Sequence, residues 1–211
     1  MSIDAYKFRE KTAAPSGAPL VFAFHGTGAD ENQLFPFAEH FWPRASVVSP
    51  RGDVLEHGAP RFFRRKAEGV YDFEDLAVRR RAMAGFVRAH KQRAEPSRTI
   101  GIGYSNGANI LAAMVFEEAD LFDEIVLMHP LIPWKPADNS GLARLRALIT
   151  AGRRDPICPP AYTAALAEYL ERQGAATTLE WHDGGHELRP SEQAAVERFV
   201  GGADGQWRRG A

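Results

Sequence analysis

The sequence predicts an α/β fold, with a mostly parallel central sheet of about six or seven strands flanked by helices. Two observations indicate this class: short apolar runs recur along the chain, and longer segments with helical periodicity separate them. The 211 residues are 45% hydrophobic and 25% charged, a composition typical of a globular domain that can bury a full core. We therefore expect a single domain over residues 1–211.

Six short apolar runs are interpreted as strands of the parallel sheet: residues 20–24, 45–49, 98–103, 125–128, 145–150 and 177–181. Pro50 ends the second run and Pro130 the fourth, since proline cannot continue a central strand. A further strand is expected within residues 5–11, as an antiparallel strand at the edge of the sheet.

Four longer segments are interpreted as helices. Residues 75–94 place Leu76, Met83 and Phe86 among arginines, a pattern typical of an amphipathic helix. Residues 106–117 are almost wholly apolar, which predicts a helix buried against the sheet. A helix over 160–173 ends at a glycine, and the last helix is expected over 191–200 with a frayed tail beyond it.

Residues 50–71 do not follow this pattern. They show no clear period and contain three glycines and two prolines. Long irregular segments in compact domains are usually functional or mobile. We therefore expect a loop close to the functional site in this part of the chain.

Charge and cysteine content exclude several classes of protein. The 26 basic and 27 acidic residues give a formal net charge of −1, and nucleic-acid binding draws on clustered positive charge, so no nucleic-acid partner is expected. Cys158 is the single cysteine of the sequence, which excludes an intrachain disulfide and a thiolate-built zinc site. Charges near residue 1 do not suit a secretion signal, and no apolar run is long enough to span a bilayer, so we expect a cytoplasmic protein.

The strongest local motif is Gly-Tyr-Ser-Asn-Gly at residues 103–107, between an apolar strand and an apolar helix. A strand-turn-helix of this kind needs small residues around the serine, and it exposes the serine hydroxyl at the carboxyl end of the sheet. Ser105 is therefore the predicted nucleophile. A dinucleotide-binding loop starting at Gly101 fails because Asn106 stands where that motif needs glycine. A glycine turn that merely joins strand to helix remains an alternative.

A serine nucleophile needs a base, and the base needs an orienting acid, in the chain order Ser, acid, His for this motif. Asp155 follows the fifth predicted strand and His186 follows the sixth, where loops gather at the carboxyl edge of the sheet. We predict these two as acid and base. Asp138, in a polar loop, is the reserve acid, whereas Asp123 precedes its strand and belongs to the opposite edge.

No metal or cofactor is expected from the histidines. His182 and His186 are four residues apart, but Gly184 and Gly185 between them argue against the helix that a metal-binding pair at this spacing needs. Three others are interpreted as solvated or capping residues: His40, His57 and His90.

The oxyanion that develops during acyl transfer requires N–H donors fixed in advance. One backbone N–H is expected from Asn106, the residue after the nucleophile. The other is expected from Thr27, in the loop after the first predicted strand, where Gly26 and Gly28 allow close approach of the backbone. An ordinary glycine turn is the alternative interpretation of this loop.

Five segments carry a resemblance to a known family: residues 20–30, 61–64, 103–109, 152–157 and 184–187. They resemble the phospholipase/carboxylesterase group of the α/β-hydrolase superfamily, which includes the acyl-protein thioesterases, and most of all its bacterial hydroquinone-resistance-associated hydrolases. The matching segments occur in the right order over nearly the whole chain. The resemblance implies an α/β-hydrolase fold without a large inserted lid, a cofactor-free serine hydrolase of esters or thioesters, and frequently a homodimer.

Aromatic and aliphatic residues in loops at the carboxyl edge are expected to line the acyl pocket, namely Phe63, Leu131 and Trp134, although core packing explains them almost as well. Three arginines have no single predicted role: they bind an anionic substrate group, order the loop over the site, or form a solvated patch (Arg61, Arg64 and Arg65).

The resulting hypothesis is hydrolysis of a carboxylic ester or thioester, with a small-molecule substrate of unspecified acyl length. His186 takes the proton of Ser105, and Asp155 holds the imidazole in the required tautomer. Two other functions remain open: a ligand receptor on the same scaffold, because fold does not determine function, and acyl transfer to an alcohol or amine.

Overall fold

A computed structural model describes residues 2–13 and 16–207. The strands in chain order are β1 Phe8–Lys11, β2 Leu20–Phe24, β3 Ser46–Pro50, β4 Val54–Glu56, β5 Ala59–Arg61, β6 Arg65–Ala67, β7 Val70–Tyr71, β8 Thr99–Tyr104, β9 Glu124–Met128, β10 Arg146–Gly152 and β11 Ala176–His182. The α-helices are α1 Phe35–Phe41, α2 Phe73–Ala94, α3 Asn106–Glu117, α4 Pro160–Arg172 and α5 Pro190–Trp207.

Seven strands form the central sheet in the order β1-β3-β2-β8-β9-β10-β11. All neighbours pair in parallel except β1 and β3, which are antiparallel. The predicted fold class is therefore confirmed, including the antiparallel edge strand. Because the other six strands of this sheet are parallel to one another, the segments after β2, β8, β10 and β11 all start at one edge of the sheet.

The core lies on both faces of the sheet. Alternate residues of each strand point to opposite faces, so in β2 Phe22 packs into one apolar cluster and Val21 into the other. The first cluster includes residues of α2, α3 and α4, and the second includes residues of α1 and α5. Because helices cover both faces, the parallel strands are buried on both sides, and their sequences are continuous apolar runs.

Three elements differ from the expectations. Helix α1 is not predicted, because its seven residues are too few to show a helical period. Residues 50–71 contain two small antiparallel hairpins, β4 with β5 and β6 with β7, in place of an irregular loop. The last helix continues to Trp207 instead of fraying after residue 200, and residues 208–211 lie outside the described residues. Over the ranges 2–13 and 16–207, no helix has both the length and the apolar character needed to cross a membrane.

Candidate active site

Ser105 lies in the tight turn between β8 and α3, with φ 52° and ψ −116°. A positive φ is strained for a residue with a side chain, and such outliers concentrate at functional sites. The turn is possible because a Cβ at Gly107 would lie 2.0 Å from the carbonyl oxygen of Phe24, and one at Gly103 would lie 2.6 Å from Gly107. The N–H of Ser105 donates to the carbonyl of Met128 at 2.9 Å, which ties the turn to β9.

Three side chains that are distant in sequence meet at this edge of the sheet. The Oγ of Ser105 lies 2.9 Å from Nε2 of His186, and Nδ1 of the same ring lies 2.8 Å from Oδ2 of Asp155. Because the carboxylate accepts the Nδ1 proton, Nε2 carries a lone pair that can accept the serine proton. The arrangement can therefore remove a proton from Ser105.

The other two aspartates considered from the sequence lie elsewhere. Asp138 accepts a hydrogen bond from Nε2 of Gln173 at 2.9 Å, at the surface. Asp123 accepts one from the N–H of Thr99 at 2.7 Å, at the start of β8 and thus at the opposite edge of the sheet. Among the three candidates, only Asp155 reaches the histidine.

Asp155 accepts four hydrogen bonds. Its Oδ1 receives the N–H groups of Ile157 and Cys158 at 2.8 and 2.9 Å, and its Oδ2 receives Nδ1 of both His186 and His129 at 2.8 Å. Burial alone would raise the pKa of this carboxyl, but the hydrogen bonds from Cys158 and the two imidazoles lower it below its usual value. Asp155 is therefore held as a carboxylate in a fixed orientation.

His129 is a site residue that sequence reasoning missed. Its Nδ1 contacts Asp155, its Nε2 lies 3.2 Å from Oε1 of Glu192, and its side chain is fully buried. Burial opposes the charged form, but hydrogen bonds to Glu192 and Asp155 outweigh it and raise the pKa of His129. The sequence offers only a weak indication of this role, namely that His129 is a polar residue directly after β9, at the carboxyl edge of the sheet.

Two groups of side chains have the residue types that bind metals, and their ligand atoms lie within 4.8 Å of one another: His129, Asp155 and His186, and His129, His182 and Glu192. In the first, both Nδ1 atoms donate to Asp155. In the second, Nδ1 of His182 accepts the N–H of Gly184 at 3.0 Å, so its Nε2 carries the proton and has no lone pair for a metal. Hydrogen bonding therefore accounts for both groups.

The loop after β2 is fixed by its own contacts. The N–H of Gly26 donates to Oε1 of Gln33 at 2.8 Å, and the N–H of Gly28 donates to the carbonyl of Pro60 at 3.0 Å. Thr27 lies between these two anchored residues and borders the same cavity as Ser105. The loop is thus held in one conformation before any substrate binds.

The two predicted oxyanion donors both border this cavity. Thr27 is further held by Nη1 of Arg61, which donates to its Oγ1 at 3.0 Å. Oδ1 of Asn106 accepts the N–H of Phe62 at 2.8 Å. Within the described part of the chain, the backbone N–H groups of Thr27 and Asn106 donate to no other group. Both residues border the cavity that Ser105 also lines.

The cavity beside Ser105 has a volume of about 270 Å³. Leu131 lines it, as expected from the sequence. Phe63 does not: it is fully buried and packs edge-on against Tyr71, with ring centroids 4.8 Å apart. Trp134 borders a separate, larger cavity of about 610 Å³. Trp134 also packs edge-on against Tyr71, with ring centroids 6.1 Å apart, so both aromatic rings take part in packing, the alternative interpretation from the sequence.

Leu131 is positioned by a buried polar pair. Oδ1 of Asn109 accepts the N–H of Leu131 at 2.7 Å, and the hydroxyl of Tyr71 donates to the carbonyl of Leu131 at 2.8 Å. Nδ2 of Asn109 in turn donates to the Tyr71 hydroxyl at 2.7 Å. These contacts fix the wall of the cavity, and the sequence alone did not indicate them.

The three arginines have different surroundings. Arg61 is buried, and besides Thr27 it binds Glu56 at 3.0 Å, so it orders the loop after β2. Arg65 borders the cavity and binds Glu56 at 2.9 Å. Arg64 is exposed and pairs with Asp72 at 3.3 Å. The solvated-patch interpretation therefore holds for Arg64 and is wrong for Arg61.

Comparison with known proteins supports the same fold and a hydrolase of the esterase type. The family described as TAP-like protein matches residues 130–201. A Bacillus subtilis (strain 168) protein named "Putative hydrolase MhqD" is 38% identical over 175 residues, covering 82% of this chain and 88% of that protein. The structure of Atu2452 from Agrobacterium tumefaciens str. C58, described as of unknown function, is 48% identical with a TM-score of 0.90 and covers 96% of this chain and 98% of its own. The Bacillus cereus carboxylesterase is 36% identical with a TM-score of 0.86 and 94% coverage of both chains.

Proposed function

Because the chain belongs to the α/β-hydrolase family of MhqD and is a hydrolase of the esterase type, we propose that it cleaves carboxylic esters through an acyl-enzyme formed on Ser105. One observation carries the proposal: Ser105, His186 and Asp155 form a continuous hydrogen-bonded chain, with distances of 2.9 and 2.8 Å. Separately, each residue type is common at protein surfaces. Together they supply a nucleophile, a base and an orienting acid.

The reaction begins when Nε2 of His186 takes the proton of Ser105 and Oγ attacks the acyl carbon. The carbonyl oxygen becomes an oxyanion, which accepts the backbone N–H groups of Thr27 and Asn106. The imidazolium of His186 returns the proton to the leaving alkoxide, and the C–O bond of the ester breaks. Water then attacks the acyl-enzyme with the same histidine as base, which releases the acid and restores Ser105.

The cavity favours small substrates. Its volume of about 270 Å³ lies just below the range of roughly 300–1,000 Å³ usual for small-molecule pockets. Leu131 and Tyr71 form apolar parts of its wall, and their fixed positions limit the space beside Ser105. The proposed substrates are therefore esters with short acyl chains. Thioesters present the same acyl carbon to the serine and belong to the same proposed class.

The test compares wild type with Ser105→Ala on p-nitrophenyl esters from acetate to palmitate and on a parallel thioester series. We expect wild-type turnover that is fastest for acetate and butyrate, and a loss of several orders of magnitude in the variant. Labelling of wild type by a fluorophosphonate probe, absent in Ser105→Ala, would identify the nucleophile. A folded Ser105→Ala variant with wild-type rates would overturn the proposal.

Two other functions give different results in the same experiment. A receptor on this scaffold would bind esters without turning them over. An acyltransferase would form a new ester or amide when an alcohol or amine is added, which product analysis detects. The expected product for a hydrolase is the free acid under both conditions.

A further inference from the structure

We propose that His129 is a positioning residue that remains protonated between Asp155 and Glu192, and that its positive charge keeps His186 available as a base at lower pH. The proposal rests on the function proposed above for Ser105, His186 and Asp155. It assigns a role to a buried histidine that does not border the cavity and that the reaction steps do not use.

Each ring nitrogen of His129 faces a carboxylate oxygen, an arrangement that favours protons on both. Nδ1 lies 2.8 Å from Oδ2 of Asp155, and Nε2 lies 3.2 Å from Oε1 of Glu192. Carboxylate oxygens only accept hydrogen bonds. A neutral ring would direct the Nε2 lone pair at the nearer of its two neighbours, the Glu192 oxygen at 3.2 Å, rather than at Nε2 of His182 at 3.4 Å.

Hydrogen-bond donors around Glu192 favour its ionised form. Its Oε1 accepts the hydroxyl of Thr150 at 2.6 Å, and its Oε2 accepts the N–H of Arg189 at 2.8 Å. Nε2 of His182 lies 3.4 Å from the same Oε2 and 3.4 Å from Nε2 of His129. Burial would raise the pKa of Glu192, but the hydrogen bonds from His129 and Thr150 lower it. The carboxylate thus faces His129 as an acceptor.

The backbone at His129 is strained, with φ 51° for a residue that carries a side chain. Its N–H donates to the carbonyl of Thr150 at 2.8 Å, and its carbonyl accepts Sγ of Cys158 at 3.2 Å. A left-handed conformation of this kind is unfavourable for a residue with a side chain and persists only where the surroundings enforce it. Here it accompanies a side chain that joins two carboxylates.

His129 changes the charge that His186 experiences. Their ring centroids are 5.1 Å apart, and both rings donate to Oδ2 of Asp155. With His129 protonated, the two carboxylates and one imidazolium sum to a net charge of −1; without it, the sum is −2. A more negative surrounding favours protonation of His186, which removes the base.

The remaining titratable groups around His129 are neutral or already counted. Tyr104 of β8 packs against it with ring centroids 5.8 Å apart, and burial raises the pKa of Tyr104 to about 12. Burial also raises the pKa of the Cys158 thiol, so it stays protonated. His182 of β11 donates from Nε2, as its contact with Gly184 requires. His129 is therefore the positive charge that offsets the two carboxylates.

The first test measures the protonation of His129 directly. Nitrogen-15 NMR of the wild-type protein, with the His129 signals assigned by comparison with His129→Asn, reports whether one or both ring nitrogens carry protons. We expect both to be protonated from pH 5 to pH 8. A neutral ring at pH 7 would overturn the proposal. This result does not depend on catalysis, so it stands even if Ser105→Ala shows that the proposed function is wrong.

The second test is the pH profile of kcat/KM for p-nitrophenyl acetate in His129→Asn and Glu192→Gln. Asparagine tolerates the left-handed backbone and still offers an N–H to Asp155, but it cannot carry charge. We expect the acid limb of the profile to move up by about one pH unit in His129→Asn, given one unit charge at this distance. In Glu192→Gln, His129 no longer faces a second carboxylate and is expected to lose its second proton. The negative charge of Glu192, which is farther from His186, is lost as well. We therefore expect the acid limb to move in the same direction by a smaller amount.

The control is His57→Asn. His57 also has φ 51° but is exposed in the turn between β4 and β5, so the substitution relieves the same backbone strain without changing the site. Its profile should match wild type. A lower plateau rate in His129→Asn with an unmoved acid limb would show a purely structural role and refute the proposal. If His129→Asn does not fold, the pH profile of Glu192→Gln decides, and the wild-type His129 nitrogen signals are assigned by their change in Glu192→Gln.

Discussion

Replacing Asp155 by asparagine tests the site sharply, because the structure determines which way the new amide would turn. The backbone N–H groups of Ile157 and Cys158 both donate to Oδ1, at 2.8 and 2.9 Å. The amide oxygen of the introduced asparagine must occupy that position, because an NH₂ group there would face two donors. The NH₂ group then takes the place of Oδ2 and faces both His129 and His186.

The consequence for His186 follows from its tautomer. Its Nδ1 would now face a donor instead of a carboxylate oxygen, so it must accept, and the ring proton moves to Nε2. Nε2 then presents an N–H to Ser105 and can no longer take its proton. Loss of the correct tautomer in a Ser-His-Asp site lowers kcat by about 10⁴, or about 5 kcal/mol in the activation free energy. KM should change little, because Asp155 does not border the cavity.

The assay is hydrolysis of p-nitrophenyl acetate, with kcat and KM measured separately and folding checked by circular dichroism. Asp138→Asn is the matched control: the same substitution, at a surface residue whose carboxylate binds Gln173. It should leave kcat unchanged. A folded Asp155→Asn variant that retains kcat within tenfold of wild type would contradict this role of Asp155, as would an equal loss of activity in Asp138→Asn.

Three further predictions follow from other parts of the structure. Cys158 is buried and burial raises its pKa, so iodoacetamide at pH 8 should not inactivate the enzyme; rapid inactivation would contradict this position of the thiol. Gly107→Ala should lower the free energy of unfolding by about 1–3 kcal/mol or more and lower Tm by at least a few degrees, because the new Cβ would lie 2.0 Å from a backbone carbonyl oxygen of β2. Gly201→Ala is the control and should not lower Tm, because a Cβ there would have no atom within 4 Å. Leu131→Ala should raise kcat/KM for butyrate relative to acetate by about tenfold by enlarging the cavity, whereas Trp134→Ala, which borders the other cavity, should leave the ratio unchanged.

The sheet could be predicted from the sequence because its strands are buried on both faces. β2 and β9 are buried at every position, so they stand out as apolar runs. Helix α3 was predicted with its observed bounds, because it is also apolar throughout. Helix α1 and the hairpins of residues 54–71 are not predicted, since a seven-residue helix and strands of two or three residues show too little of a period to be recognised.

The triad candidates could be predicted from chain order and local sequence. Ser105 sits between glycines that a tight turn requires, and Asp155 and His186 follow strands that end at the same edge. His129 follows a strand in the same way, but no motif surrounds it. Its partner Glu192 begins the last helix, with no pattern to link the two. Their contact arises only when α5 packs against the sheet.

The side chains that line the cavity are harder to predict from the sequence than the triad candidates. Phe63, Leu131 and Trp134 were equivalent from the sequence, each an apolar residue in a loop at the correct edge. In the structure, Leu131 faces the cavity while Phe63 packs behind Tyr71 and Trp134 turns to another surface. Side-chain direction in a loop depends on contacts with several elements at once, which no local spacing encodes.

The amino-acid sequence by itself determined the layered fold, the strand-turn-helix at Ser105 and the sheet edge at which the partners of Ser105 lie. These features follow from the burial of apolar runs and from steric limits in a tight turn, and both act on residues that are neighbours in the sequence. Tertiary structure alone decided that Asp155 shares one oxygen between two imidazoles, that Glu192 reaches the second of these rings, and which side chains enclose the cavity. Those contacts join residues in the segments after β9, β10 and β11 to a residue of α5, and they depend on how these elements pack together rather than on any one segment.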